Sequence, residues 1–170
     1  MSAMGGRDLV MHEEEFAKLT RLAERLLREA NARFVSLVDR NGQPIAWAGE
    51  LDGVDKTALA SLAAGNVAAT EGLARMIGER AFSSMYHEGE NDHLHFSAVG
   101  DVGILLVAFD ERSSLGLVRL RVRQTTPDLV QVFDDMLARS RAFSAGMDEM
   151  AEGLPEITDE DIESLFKDGL

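Results

Sequence analysis

Residues 103–109 read Gly-Ile-Leu-Leu-Val-Ala-Phe, a continuous apolar run that has the length of a single β-strand. A strand with one face in water alternates between apolar and polar residues, whereas a strand covered on both faces does not. The absence of alternation therefore predicts a central strand. Such a strand needs a layer of helices on each face of its sheet.

Four further short segments predict strands, and tight turns join them in pairs. Residues 34–38 and 45–48 flank an Asn-Gly pair at 41–42, which is a strong hairpin signal. Residues 81–87 and 93–99 flank a second polar turn. Because a hairpin joins strands that run in opposite directions, we expect a five-stranded, mainly antiparallel sheet.

Three longer segments have the apolar spacing of amphipathic helices, at residues 12–31, 56–79 and 126–141. The stretch 114–123 fits two interpretations. Its alternation favours a strand, whereas a serine at 113 or 114 favours a helix cap. Thr126 followed by Pro127 is typical of a helix start. The elements together predict an α+β fold in which helices cover both faces of the sheet, a three-layer α/β/α sandwich.

The helix expected at 56–79 has two apolar sides. One side carries large residues and the other carries small, nearly uncharged residues. Ala64, Ala68 and Gly72 lie one turn apart on the small side, where they form a smooth strip that allows another backbone to approach closely. We interpret this strip as a contact surface; packing inside the domain is the alternative. The large side consists of Leu59, Leu62, Asn66, Ala69, Leu73, Met76 and Ile77.

The composition excludes several classes of function. The chain has 170 residues, with 30 acidic and 17 basic side chains and a net charge of −13, which disfavours binding to nucleic acid or anionic membranes. It has no cysteine, so thiol catalysis and cysteine-ligated metals are excluded. No apolar run reaches the length of a transmembrane helix. We therefore expect a cytoplasmic protein that binds neither nucleic acid nor a membrane.

The charge is concentrated at the C-terminus, where residues 148–170 hold nine acids and one lysine. The segment 155–170 predicts a short helix with an apolar stripe of Ile162, Leu165 and Phe166. It is either a docking helix that orders on binding or a cap on its own domain. The predicted organisation is a flexible N-terminus at 1–8, a domain at 9–142, a linker at 143–154 and an acidic docking helix at 155–170.

Catalytic motifs are missing from the sequence. Lys56-Thr57 follows an aspartate and not the glycine of a phosphate-binding loop, and neither a Gly-x-Ser-x-Gly nor a His-Glu-x-x-His motif occurs. His87, His93 and His95 have a spacing that suits a zinc site, but we favour exposed, solvated histidines around a hairpin. We predict no metal, no cofactor and no catalytic residue in this chain.

Basic residues are clustered at one place, in the triplet Arg119, Arg121 and Arg123. Arginines at this density suit contacts with an anionic partner. Arg112 has the residue type of an arginine finger, the side chain by which some activators complete the active site of a GTPase. An ordinary salt bridge explains Arg112 equally well.

Several of these segments resemble one protein family. They are Val35-x-Leu-Val-Asp-x-Asn-Gly-Gln, the stretch 59–69, residues 82–89, Ser113-Ser-Leu-Gly-Leu-Val-Arg-Leu-Arg-Val122 and the acidic end at 156–166. Together they resemble the bacterial Roadblock-domain proteins of the MglB type, and they follow one another along the chain in the same order as in that family. The resemblance implies a profilin-like Roadblock fold with one long helix on one face of the sheet and two helices on the other. It also implies a helix from Ser114 onward, which Pro127 must kink or restart.

The resemblance further implies a function. Family members form homodimers through the second helix and the third strand, and two chains bind one small Ras-like GTPase of the MglA type. They stimulate GTP hydrolysis without an arginine finger, and nucleotide exchange through the C-terminal helix is also proposed. Through the GTPase, family members act on cell polarity and gliding motility, which makes a cell pole a candidate location for this protein.

The implied contacts can be placed on this sequence. Ala64, Ala68 and Gly72 would approach the GTPase closely, while Arg119, Arg121 and Arg123 would make charged contacts. Ile162, Leu165 and Phe166 would dock the tail. Two alternatives stay open: a Roadblock dimer that acts as a non-catalytic scaffold, and a module that senses a small molecule. The second requires a pocket with convergent polar groups, to which the sequence does not point.

Overall fold

Three helices and five strands form within residues 13–152, the part of the chain that the computed structural model describes. They are α1 (Glu13–Glu29), β1 (Phe34–Asp39), β2 (Pro44–Gly49), α2 (Lys56–Met76), β3 (Ser84–His87), β4 (His93–Val99), β5 (Gly103–Phe109) and α3 (Leu115–Glu152). The predicted strands are all present. β3 is shorter than expected, because it starts at Ser84 and not at residue 81.

The strands form one sheet in the order β2-β1-β5-β4-β3, and every neighbouring pair is antiparallel. β5 lies in the middle, paired with β1 on one side and with β4 on the other. All seven of its residues are buried, which confirms the prediction from its unbroken apolar sequence. β2 and β3 form the two edges of the sheet.

Helices cover both faces of the sheet. Side chains alternate between the faces of a strand, so neighbouring residues of β5 belong to different layers. Leu105 and Val107 pack in the core that α1 and α3 cover, whereas Ile104 and Leu106 pack in the cores on the α2 side. This arrangement confirms the three-layer α+β architecture.

α3 is one helix from Leu115 to Glu152, with Pro127 in its interior. The side-chain oxygen of Ser114 accepts a hydrogen bond from the backbone N–H of Leu117 at 3.2 Å, as expected of a helix cap. Thr126 does not cap a helix start; its hydroxyl donates to the carbonyl of Val122, one turn earlier, at 2.7 Å. Of the two interpretations left open for 114–123, the helix is therefore confirmed, and the expectation of a helix that starts at Thr126 is wrong.

The burial pattern explains why the alternation of apolar and polar residues at 118–123, which lie in α3, also fitted a strand. Val118 and Val122 are buried, but Leu120 between them is half exposed. Burial thus follows the four-residue spacing of a helix, and the same side continues into Leu129 and Phe133.

The predicted domain boundaries are only partly covered by the described residues. The chain divides into two units, Met1–Met136 and Leu137–Leu170. The described part of the predicted linker at 143–154 is helical up to Glu152. Alanines and methionines in this stretch favour a helix despite Gly146. The predicted flexible segment 1–8 and docking helix 155–170 lie outside the described residues.

The turn between β1 and β2 packs closely against α2. Gly42 has a φ of 85°, and a β-carbon added there would lie 2.9 Å from the Cα of Ser61 on α2. We expect Gly42→Ala to lower the free energy of unfolding by about 2 kcal/mol, through backbone strain and this overlap. Chemical denaturation measures the change.

Gly53→Ala is the matched control for Gly42→Ala. Gly53 also has a positive φ, of 71°, but a β-carbon there would meet no atom of the described residues within 4 Å. We therefore expect it to cost less than Gly42→Ala. Equal losses would show that the contact with α2 contributes nothing.

Candidate functional site

α2 packs on the sheet through small residues and leaves its large apolar residues exposed. The buried residues of the helix are Ala60, Ala63, Ala64, Val67 and Ala74. Leu62, Leu73, Met76 and Ile77 are between 59% and 84% exposed, and we call these four residues the α2 apolar face. Exposed apolar clusters of this kind are typical of interaction surfaces.

The expected orientation of α2 is therefore wrong for Ala64. Ala64, assigned to an open strip, is only 8% exposed and packs with Val38 and Ile104 of the sheet. Ala68 is exposed and Gly72 is half-buried. The sheet surface under α2 is filled by large side chains, so close packing needs small residues on the helix. Whether Ala64, Ala68 and Gly72 take part in GTPase binding stays a prediction.

The α2 apolar face lies beside the free edge of the sheet. β3 pairs with β4 on one side and has no strand on its other side within residues 13–152. The side-chain amide nitrogen of Asn66 on α2 lies 3.4 Å from Nε2 of His87 on β3, which joins the helix to this edge strand. An apolar surface and a row of unpaired backbone groups thus adjoin each other, and both favour association with another chain.

The three arginines do not lie together with this surface. They are on α3, which covers the opposite face of the sheet from α2. Arg119 and Arg123 are exposed and lie one turn apart, while Arg121 is half-buried and has Glu29 at 3.9 Å. The structure therefore separates two of the predicted contact groups. The third group, Ile162, Leu165 and Phe166, lies outside the described residues.

Arg112 is held by a neighbouring carboxylate. Its Nε donates to Oδ1 of Asp110 at 2.9 Å, and this hydrogen bond is the main cause that lowers the pKa of Asp110. Arg33 lies 3.9 Å from the same carboxylate. The salt-bridge explanation thus has direct support in the structure.

The histidines of the second hairpin occupy different environments. His95 is 1% exposed, and burial together with the charge of Arg119 lowers its pKa to about 4. His93 packs against Phe109, and His87 is exposed. The expectation of solvated histidines is therefore wrong for His95. Within residues 13–152 no group of three or more histidine, aspartate or glutamate side chains is arranged to hold a metal ion.

A family model for the Roadblock/LC7 domain matches residues 18–109 of this chain. The solved structure of Myxococcus xanthus MglB is 50% identical in sequence and superposes with a TM-score of 0.71. The match covers 75% of this chain and 96% of that chain. The chain belongs to the Roadblock/LC7 family.

Other solved structures agree with this assignment. The gliding protein MglB of Thermus thermophilus is 32% identical and has a TM-score of 0.69, and the match covers 75% of this Roadblock chain and 97% of the Thermus chain. An MglB solved in a tetrameric arrangement is 31% identical, with coverages of 76% and 97% and a TM-score of 0.70. The likeness to MglB proteins is thereby confirmed. A comparison with curated proteins gave no match.

More distant structures share only the fold. Schizosaccharomyces pombe profilin is 16% identical, with a TM-score of 0.50, and the match covers 66% of this chain and 97% of profilin. This likeness agrees with the expected profilin-like sheet and helices. Among the described residues of this Roadblock protein, no helix is both long and apolar enough to cross a bilayer.

The buried His95 gives this Roadblock protein a specific pH dependence. Its pKa is about 4 when folded and about 6.5 when unfolded. Below pH 6.5 the unfolded chain therefore takes up a proton that the folded chain does not, so stability falls as the pH falls from 6.5 towards 4. Above pH 6.5 the residue contributes no dependence. At pH 5 we expect a loss from this residue of about 2 kcal/mol relative to pH 7.5.

Urea unfolding at pH 7.5 and pH 5 measures this loss, with His95→Gln as the test variant. We expect the decrease in unfolding free energy between the two pH values to be smaller in His95→Gln than in the wild type. His93→Gln is the control, since that residue is less buried. An unchanged pH dependence in His95→Gln would contradict the assignment.

Proposed function

We propose that this chain is a homodimeric activator of a small Ras-like GTPase of the MglA type. The observation that carries the proposal is its 50% identity to Myxococcus xanthus MglB over three quarters of the chain. The chain itself is then a regulator, and the GTPase supplies the catalytic residues.

The dimer in this proposal uses the α2 apolar face and the free edge of β3. Burial of leucine, isoleucine and methionine side chains stabilises association by about 1.5–3 kcal/mol for each fully buried residue. Pairing of two β3 edges would satisfy the unpaired backbone groups and continue the sheet into the second chain. Both features lie side by side, which is the arrangement that a two-fold interface needs.

The proposed complex has two chains for each GTPase. Ala68 and Gly72 are open enough for a backbone to approach, and they lie on the same helix as the dimer surface. The acidic C-terminal segment would dock on the GTPase through Ile162, Leu165 and Phe166, and could also stimulate nucleotide exchange. Through this complex the protein would act on cell polarity and gliding motility, in the cytoplasm at a cell pole.

Activation in this proposal needs no arginine finger. Arg112 is engaged by Asp110, and an activator can instead bind the GTPase conformer whose own catalytic residues are aligned. In the free GTPase such a conformer would be populated to about 0.1–10%. Binding that shifts all of the GTPase into this conformer would raise the hydrolysis rate about 10- to 1,000-fold. Arg112→Ala should leave this stimulation nearly unchanged.

Single-turnover hydrolysis separates the activator from the scaffold. An MglA-type GTPase loaded with GTP is mixed with the wild-type chain or with Arg112→Ala, and the rate constant of phosphate release is measured. We expect both to raise the rate by about 10-fold or more. If the GTPase is saturated with this chain and its hydrolysis rate is unchanged, the chain is instead a non-catalytic scaffold. A loss of stimulation confined to Arg112→Ala would show that an arginine finger is used.

A further inference from the structure

A cavity of about 360 Å³ lies between β4 and α3, on the face of the sheet opposite α2. β4 contributes His95 and Ser97, and α3 contributes Arg119 and Arg123. Ser84 of the edge strand β3 completes the polar wall. None of the proposed dimer and GTPase contacts of α2 takes part in this cavity.

Two buried polar side chains line the cavity without internal partners. His95 is 1% exposed and Ser97 is 8% exposed. Among the described residues, neither ring nitrogen of His95 nor the hydroxyl of Ser97 has a hydrogen-bond partner. A buried polar group left in this state destabilises the folded chain, and such groups are few in native proteins. Both residues line the same cavity, which points to a ligand there that satisfies their polar atoms.

The charge of the cavity is positive. Arg119 and Arg123 lie four residues apart on α3 and so project to the same side of the helix. Neither forms a salt bridge within the described part of the chain, and no aspartate or glutamate is among the described residues that line the cavity. Arg121 is turned away, towards Glu29 and Gln124. In a chain with a net charge of −13, this local balance favours an anion.

The hydrogen-bond donors that line the cavity favour some anions over others. Two guanidinium groups offer planar pairs of N–H donors, two serines offer hydroxyls, and a neutral imidazole offers one N–H donor. A carboxylate has only two oxygens to receive them, whereas a phosphate group has three or four. The volume is at the lower end of the range of small-molecule pockets and leaves room for a small organic group beside the phosphate.

We propose that the cavity between β4 and α3 binds a phosphate group, either as inorganic phosphate or on a small phosphate ester. Arg119 and Arg123 supply the charge, and His95, Ser97 and Ser84 supply further hydrogen bonds. The described residues that line the site all belong to a single chain. It gives this Roadblock protein the convergent polar pocket that a small-molecule sensor requires.

NMR titration of the full chain with inorganic phosphate tests the site. The ring signals of His95 are followed at pH 7 and across a pH series, with and without phosphate. We expect saturable shifts of the His95 signals and a higher His95 pKa when phosphate is bound, because the nearby anion favours the charged imidazole. Arg119 of α3 is the charged group that faces this ring, and Tyr86 is its neighbour on β3.

Matched variants separate a built site from general charge attraction. The double variant with Arg119→Gln and Arg123→Gln should weaken phosphate binding at least 10-fold. Arg121→Gln also removes a positive charge from the same helix but lies outside the cavity lining, so we expect an affinity within twofold of the wild type. Equal weakening by Arg121→Gln and by the double variant would overturn the proposal.

A comparison of the affinities for different anions completes the test. Tighter binding of glycerol phosphate than of inorganic phosphate would identify an ester site, and the reverse order would identify a site for free phosphate; both support the proposal. Acetate binding as tightly as phosphate would show an unselective anion site and overturn it. An unshifted His95 spectrum at millimolar phosphate would also overturn it.

Discussion

Leu73→Glu is expected to convert the proposed dimer of this Roadblock protein into folded monomers. Leu73 is 59% exposed on the α2 apolar face and contacts no core cluster of its own chain, so the substitution leaves the fold intact. In a two-fold dimer it removes two buried leucines, which contribute about 3–6 kcal/mol together. It also places two carboxylates at the interface. We expect a dissociation constant at least about 100-fold higher.

Analytical ultracentrifugation over a concentration series measures the shift, and circular dichroism checks the fold. Thr57→Glu is the matched control, since it adds the same charge to an exposed position on another side of α2. We expect the control to dimerise like the wild type. Unchanged dimerisation of Leu73→Glu would show that the α2 apolar face is not the dimer interface.

Ala68→Arg combined with Gly72→Arg is expected to abolish binding of the GTPase while the dimer persists. A side chain at Gly72 would meet only the far end of the Arg75 side chain, at 3.9 Å, so the helix accepts it. Two long charged side chains would hold a docked backbone away from the helix. We expect the affinity for a GTP-loaded GTPase of the MglA type to fall by at least about 100-fold, which corresponds to about 2.7 kcal/mol.

Fluorescence anisotropy of labelled GTPase measures this affinity. Glu24→Arg is the control for net charge, because it also changes the charge by two but lies on α1, across the sheet from α2. The control should bind normally. Normal binding by the double arginine variant would show that the GTPase does not contact this part of α2.

Sequence patterns determined the sheet reliably, because its signals are local. The unbroken apolar run of β5 and the Asn-Gly turn at 41–42 each have one physical explanation. The antiparallel sheet with its central β5 was therefore predictable. The start of β3 at Ser84 was not, because strand ends depend on which partner residues β4 presents.

The orientation of α2 could not be read from its sequence. Two sides of the helix looked apolar in the sequence, but the sheet accepts a third side between them, which carries Ala60, Ala63 and Val67. The decision depends on the large residues Val38, Ile104 and Phe96 beneath the helix, which require alanine above them. Large apolar residues were thus left exposed on α2.

The phosphate cavity was missed for a similar reason. Arg119, Arg121 and Arg123 look equivalent in the sequence, but the helical turn sends Arg121 to Glu29 and the other two to the cavity. His95 and Ser97 share one face of β4, a spacing that the sequence does show. Their approach to α3 is a tertiary contact that no local pattern records.

Single-turnover GTP hydrolysis, recorded while this chain is titrated into a fixed concentration of an MglA-type GTPase, tests the central proposal most directly. We expect the rate constant to rise until two chains are present for each GTPase and then to level off, with Leu73→Glu giving no such rise. A rate that stays at the intrinsic value at every ratio, although the two proteins bind, would contradict activation. A plateau at one chain for each GTPase would contradict the dimer.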